Sequence, residues 1–132
     1  MRADAPPEAA AGGAPAASST GLQPRTGALL AYLGWWVTGA LMLLVERRDR
    51  FVRFHAAQAL AGLGAVWLAG MLVYLLAFGL LSLGVAGFTA MLWIALAIWA
   101  AGVGLWLVSL VKAFRGERWR MPLAASIADR LT

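Results

Sequence analysis

AAQALAGLGAVWLAGMLVYLLAFGLLSLGVAGFTAMLWIALAIWAAGVGLWLVSLV, Ala56 to Val111, contains no Asp, Glu, Lys, Arg or His. A soluble domain of 132 residues has too much surface to hide such a run. A bilayer is the solvent that suits it. As one helix the run would be roughly 84 Å long at about 1.5 Å per residue. That is well beyond one crossing of a hydrocarbon core about 30 Å thick. The chain must turn, and SLGVAG, Ser82 to Gly87, gathers two glycines and a serine where a turn is easiest. The run therefore predicts two spanning helices, about 56–81 and 88–111, whose outer ends share one side of the membrane.

Working outward, ALLAYLGWWVTGALMLLV, Ala28 to Val45, is a third apolar segment near the lower length limit for a crossing. Thr38 and Gly39 interrupt it, but a Thr hydroxyl can bond back to the preceding helical turn. ERRDRFVRF, Glu46 to Phe54, reads as a polar loop or an interfacial helix. Residues 1–27 are rich in Ala, Pro, Gly and Ser and lack periodic apolar positions, which predicts a disordered arm. A cleaved signal peptide fits badly, because the apolar region starts late and runs into Arg47 and Arg48. The tail from Lys112 is basic, Pro122 stops any continuing helix, and 129–132 form the end. The expected fold is all-α: an integral membrane three-helix bundle over 28–128, with helices about 28–45, 56–81 and 88–111 and a basic cytoplasmic tail.

Composition agrees: the chain is 62% hydrophobic and only 13% charged, against about 45–50% and 25% in soluble domains. It has no cysteine, which removes disulfides, thiolate metal sites and a Cys nucleophile. A preference for Arg, Ala and Gly points to a GC-rich bacterial genome. The net charge of +5 would suggest nucleic acid in a soluble protein, but here the cations flank apolar segments and set topology instead. Arg47, Arg48, Arg50 and Arg53 lie in the first loop, and Lys112, Arg115, Arg118 and Arg120 open the tail. With three crossings, both clusters fall on one side. The positive-inside rule makes that side the cytoplasm of a bacterial inner membrane, with the N-terminus outside. This basic surface suits anionic head groups.

The segment RFHAAQAL, Arg53 to Leu60, sets polar residues at the threshold of the second helix. At about 100° per residue, Phe51, Phe54, His55, Gln58, Gly62, Ala65 and Ala69 share one face. Small residues let membrane helices approach, and polar side chains bond across them. This face is expected to pack against a helix or a partner. Ala90, Ala97, Ala101 and Gly104 form a matching stripe on the last helix, with Trp99 and Trp106 opposite. The two stripes are expected to meet. Most of the seven tryptophans need no cofactor, since aromatic residues anchor at interfaces.

There is no P-loop, no G-x-S-x-G, no HExxH and no second His, so no enzyme, cofactor or metal site is expected. The marks Tyr32-Leu33-Gly34, then Phe51, Arg53, Phe54, His55, Ala56 and Gln58, then Lys112, Ala113, Gly116 and Pro122 carry a resemblance over residues 28–128. The chain resembles a family of small bacterial and archaeal multi-pass membrane proteins of unknown function. That family is related to the twenty-kilodalton inner-envelope component of the chloroplast protein-import translocon. The resemblance implies a multi-pass helical protein and makes protein translocation the associated role. The chloroplast relatives are described with four crossings, and this tail has Ala125 and Ser126 where the pattern shows Gly then Asp. The leading expectation is a non-enzymatic assembly or translocation accessory component. Its partners are membrane lipids, other membrane proteins or itself, and no nucleic acid. An oligomeric channel or transporter subunit, or a lipid-sensing envelope protein, is the alternative.

Overall fold

The computed structural model describes residues 18–122 and 124–132, which form five helices and no strand. Helix α1 is Pro24–Leu33 and α2 is Trp35–Val45. Helix α3, Arg50–Leu83, is continuous. It is α-helical over Arg50–Gln58 and Gly64–Leu80, with a π turn at Ala59–Leu63 and a 3-10 end at Leu81–Leu83. Helix α4 is Val85–Phe114 and α5 is Ala124–Leu131. Helices α3 and α4 are long and apolar enough to cross a membrane. The turn between them is tight: Gly84, at φ 137°, takes a backbone conformation that side chains rarely adopt. Asp49 caps α3, accepting from the amides of Phe51 at 2.8 Å and Val52 at 3.2 Å. Gly116, at φ 72°, ends α4 in a Schellman arrangement, with the Glu117 amide donating to Lys112 O and the Gly116 amide to Ala113 O.

The first apolar segment corrects the expected three-helix bundle. It is not one crossing over 28–45 but two half-length helices broken at Gly34 and Trp35, and Trp35 has φ 64°. At about 1.5 Å per residue each half is roughly 15 Å long. The break reverses the chain. Ser18, Ser19 and Thr20, which precede α1, all bond the Glu46 carboxylate, which follows α2. Arg25 sits beside Gly116 of the tail. Both ends of α1–α2 therefore lie at the end of the molecule that holds the basic loop and tail. The N-terminal side of the chain is not opposite the C-terminal side, as three crossings require. The segment folds as a helical hairpin. The proposed arm also shortens, since Pro24 begins α1 and Gly27 packs against Val52, while its first 17 residues lie outside the described ones.

A chain break within lipid leaves backbone groups that water cannot satisfy, so other groups must. The Thr38 hydroxyl donates to Ala31 O at 3.1 Å and accepts from the Gly34 amide at 2.9 Å. The Trp106 indole donates to Tyr32 O at 2.7 Å. The Trp35 indole donates to Leu63 O at 3.2 Å, at the end of the π turn, and its ring packs beside Trp99 and Trp106. The hairpin tip thus reaches Gly102, near the middle of α4.

Packing follows small residues, though not the expected stripe. Gly39 of α2 meets Ala56 and Ala59 of α3, while Gly70 takes the Trp99 ring and Gly102 takes Val66 and Trp35. Helix α4 turns Ala95, Gly102, Ser109 and Ala113 inward together with Trp99 and Trp106. Ala90, Ala97, Ala101 and Gly104 are exposed, and nothing approaches Gly104 within 4 Å. The inter-helix space holds a third element, the hairpin tip, and tryptophans fill it where small residues would leave a void.

Two measurements check this architecture. In a chain free of cysteine, S19C and R115C are expected to be labelled from one side of the membrane and S82C from the other; S19C sharing its side with S82C would remove the hairpin. The methyl of G39A would lie 2.9 Å from Ala56 O and 3.0 Å from the Leu60 amide. Backbone atoms do not step aside, so a loss of about 1–3 kcal/mol is expected in detergent unfolding, while G104A leaves stability unchanged.

Candidate functional site

The polar residues of the threshold segment are almost wholly buried. Gln58 has 0% and His55 has 1% of its surface exposed. Gln58 faces the tail and not α4. Its Nε2 donates to Trp119 O at 2.9 Å, and its Oε1 accepts from the Met121 amide. One side chain therefore pairs with a carbonyl and an amide of a tail segment that folds back against α3. Gly62, one turn on, makes room for it: a methyl there would collide with Met121 Sδ. Beyond the tail turn, α5 packs Ala125 and Ala128 on Phe54 and Ala57 of α3.

His55 Nδ1 lies 3.2 Å from the Tyr32 hydroxyl of α1. The imidazole meets Tyr32, Phe51 and Phe54 edge-on, with centroids 5.8, 4.6 and 5.8 Å away. Its Nε2 makes no hydrogen bond among the described residues. Phe54 in turn carries the guanidinium of Arg118 at 5.1 Å and that of Arg120 at 5.9 Å, within cation–π range. The five expected face residues, Phe51, Phe54, His55, Gln58 and Gly62, thus gather α1 and the tail around α3.

The expected basic surface divides in two. Arg53 is a structural clamp: its guanidinium donates to Leu43 O and Glu46 O at the end of α2 and to Leu131 O at the end of α5. A cation suits two helix C-termini, where carbonyl dipoles converge. Arg47, Arg48, Arg50, Arg115, Arg118 and Arg120 are exposed. Lys112 pairs with Glu117, and Arg120 with Asp129.

Sequence reasoning missed Glu46, which is fully buried. Burial works against its charge, but it accepts from the Ser18 hydroxyl and from the Ser19, Asp49 and Arg48 amides. These bonds prevail and hold the carboxyl below the usual carboxylate range. The signal was present: ERRD places a carboxylate just ahead of amides that turn back on it.

Comparisons with known proteins place the chain among small membrane proteins. Residues 21–128 match the model of a family described as the magnetosome magnetite crystal formation protein family. A UPF0132 membrane protein of Methanocaldococcus jannaschii is 34% identical over 110 residues, covering 83% of this chain and 71% of the relative. A second from that organism is 27% identical over 113 residues, covering 86% and 92%. One from Archaeoglobus fulgidus is 28% identical over 102 residues, covering 76% and 87%. No solved structure matches the chain. The matches carry the coarse part of the resemblance, a family of small membrane proteins. These relatives are archaeal, and the matches give no support to a bacterial source or to kinship with the chloroplast translocon.

Two substitutions test the site. Q58L leaves Trp119 O and the Met121 amide without partners; about 1–3 kcal/mol per buried orphan should appear as early melting and as protease cutting near Arg118 and Arg120. Glu46 has a folded-state value below the ordinary 4.5. Its stabilisation is therefore complete above that value and declines as pH falls beneath it. E46Q should lower the melting temperature at neutral pH and flatten its fall on acidification; an unchanged acid limb would show that other carboxyls govern it.

Proposed function

The chain belongs to the magnetosome magnetite crystal formation protein family, and from that premise we propose that it is a non-enzymatic, multi-pass inner-membrane protein that acts by assembly. The observation that carries the reading is the outward face of α4. Ala90, Ala97, Ala101 and Gly104 are exposed there, opposite the tryptophans that fix the fold. In lipid, small residues permit close backbone approach between helices. A second copy is the occupant that this reading favours. The exposed arginines at one end support a cytoplasmic location for that end under the positive-inside rule. The hairpin brings Ser18–Thr20 to the same side.

The family description concerns magnetite crystals, yet among the described residues no three His, Cys, Asp or Glu side chains are grouped to hold a metal ion. A role beside a mineral would come through arranging membrane and protein. Protein translocation, which the sequence resemblance suggests, is the finer version in which the assembled partner is a different membrane protein.

Oxidative crosslinking in native membranes distinguishes these. A97C, A101C and G104C are expected to form dimers, whereas L75C on the exposed far side of α3 is not. Equal yields at all four positions would refute a specific face. A photo-crosslinker at Ala97 that captures one other membrane protein in place of a second copy would turn the reading toward that partner's pathway.

A further inference from the structure

Beside the clamp formed by Arg53 lies an open depression of about 550 Å³ lined by Leu43, Leu44, Arg47, Arg48, Arg50, Arg53 and Thr132. We propose that it binds the phosphate of an anionic phospholipid, with the acyl chains lying along α2.

Charge is the first argument. The loop holds four arginines and two acids, and both acids are engaged elsewhere. Glu46 turns both carboxylate oxygens onto Ser18, Ser19, Thr20 and the Arg48 and Asp49 amides. Asp49 caps α3. Neither forms an ion pair with Arg47, Arg48 or Arg50 among the described residues, where the pairs are Lys112–Glu117 and Arg120–Asp129. The backbone amides of Arg47 and Arg48 are tied to Ser19 Oγ and Glu46 Oε1, which fixes the loop while the side chains project freely. Guanidinium groups match phosphate oxygens in bidentate geometry.

Position is the second argument, and it favours a lipid over a soluble phosphate. The arginines sit at the end of an apolar half-helix. Leu44, 72% exposed, and Val45, 49% exposed, lie directly below them. Leu43 and Leu44 form the apolar wall of the same depression. A cationic rim above an exposed apolar wall, at the level where the hairpin leaves the membrane, fits a head group joined to acyl chains. Arg53 keeps its three carbonyl partners, so Arg47, Arg48 and Arg50 make the contacts.

The test uses full-length protein in detergent with phosphatidylglycerol or phosphatidylcholine added, and bound lipid is read by native mass spectrometry. Wild type is expected to retain phosphatidylglycerol. At about fivefold per arginine, R47Q/R48Q/R50Q should bind on the order of a hundredfold less. R115Q/R118Q/R130Q, which removes the same charge elsewhere, should still retain it. Equal loss in both triple variants, or equal retention of phosphatidylcholine by wild type, would overturn the proposal. Displacement of the lipid by inorganic phosphate would do the same, because it would make this a soluble-anion site. Arginine-specific labelling of unmodified protein in vesicles needs no variant. Phosphatidylglycerol should protect Arg47, Arg48 and Arg50 while leaving Arg115 reactive, and absence of that protection would also overturn the assignment.

Discussion

A backbone carbonyl or amide in lipid has no water to bond, and the fold is organised around one place where the chain accepts that problem. The reversal at Gly34–Trp35 opens a helix beside the middle of α4, a helix long and apolar enough to cross a membrane. One threonine and two tryptophans close it again by bonding Ala31 O, the Gly34 amide, Tyr32 O and Leu63 O. Trp35 holds a left-handed conformation that a bulky residue adopts at about 1–2 kcal/mol, and its contacts with Trp99 and Trp106 hold it there. The hairpin tip lodges where Gly102 of α4 also receives Val66 of α3. Large rings then pack their interface, and the small-residue stripe is left outside.

The same requirement governs the basic end. The tail folds back after Gly116, and Gln58 receives its carbonyl and amide. Glu46 gathers the entry to α1 and the loop before α3, and Arg53 joins the ends of α2 and α5. Glu46 and Arg53 each bond backbone groups from two separate segments, and Gln58 bonds two backbone groups of the tail. They lie within the first turns of α3 or just before it, so the polar residues at the threshold serve closure of one end of the bundle. This accounts for an ionisable residue and an amide standing ahead of a long uncharged run.

Much of this was legible in the sequence because solvent preference is written in composition. The uncharged run from Ala56 to Val111 carries the all-helical character, the two long helices and the turn near Gly84. The face of Phe51, Phe54, His55, Gln58 and Gly62 follows from helical periodicity. The hairpin was not legible, because Ala28–Val45 has the length of a short crossing and its reversal depends on a φ angle that no local propensity dictates. Thr38 and Gly39 marked the place, but hydroxyl back-bonding also suits an unbroken helix. The inward tryptophans were missed for a related reason. A tryptophan at mid-membrane reads as a lipid contact until a carbonyl is known to await its indole.

The two halves of the molecule therefore differ in kind. At the basic end every segment is tied by side chains that bond backbone across elements. In the opposite half, beyond the hairpin tip, α3 and α4 stand alone with Leu75, Phe78, Leu83, Trp93 and Leu96 exposed. A two-helix hairpin with its outer faces in lipid gains nothing from hydrophobic burial, since lipid is as apolar as its side chains. Its position is set mainly by the locked end below it and by whatever packs beside it. Such a division suits a protein that adds helices to an assembly: one half is rigid without a partner, and the other offers a surface whose partner defines its packing.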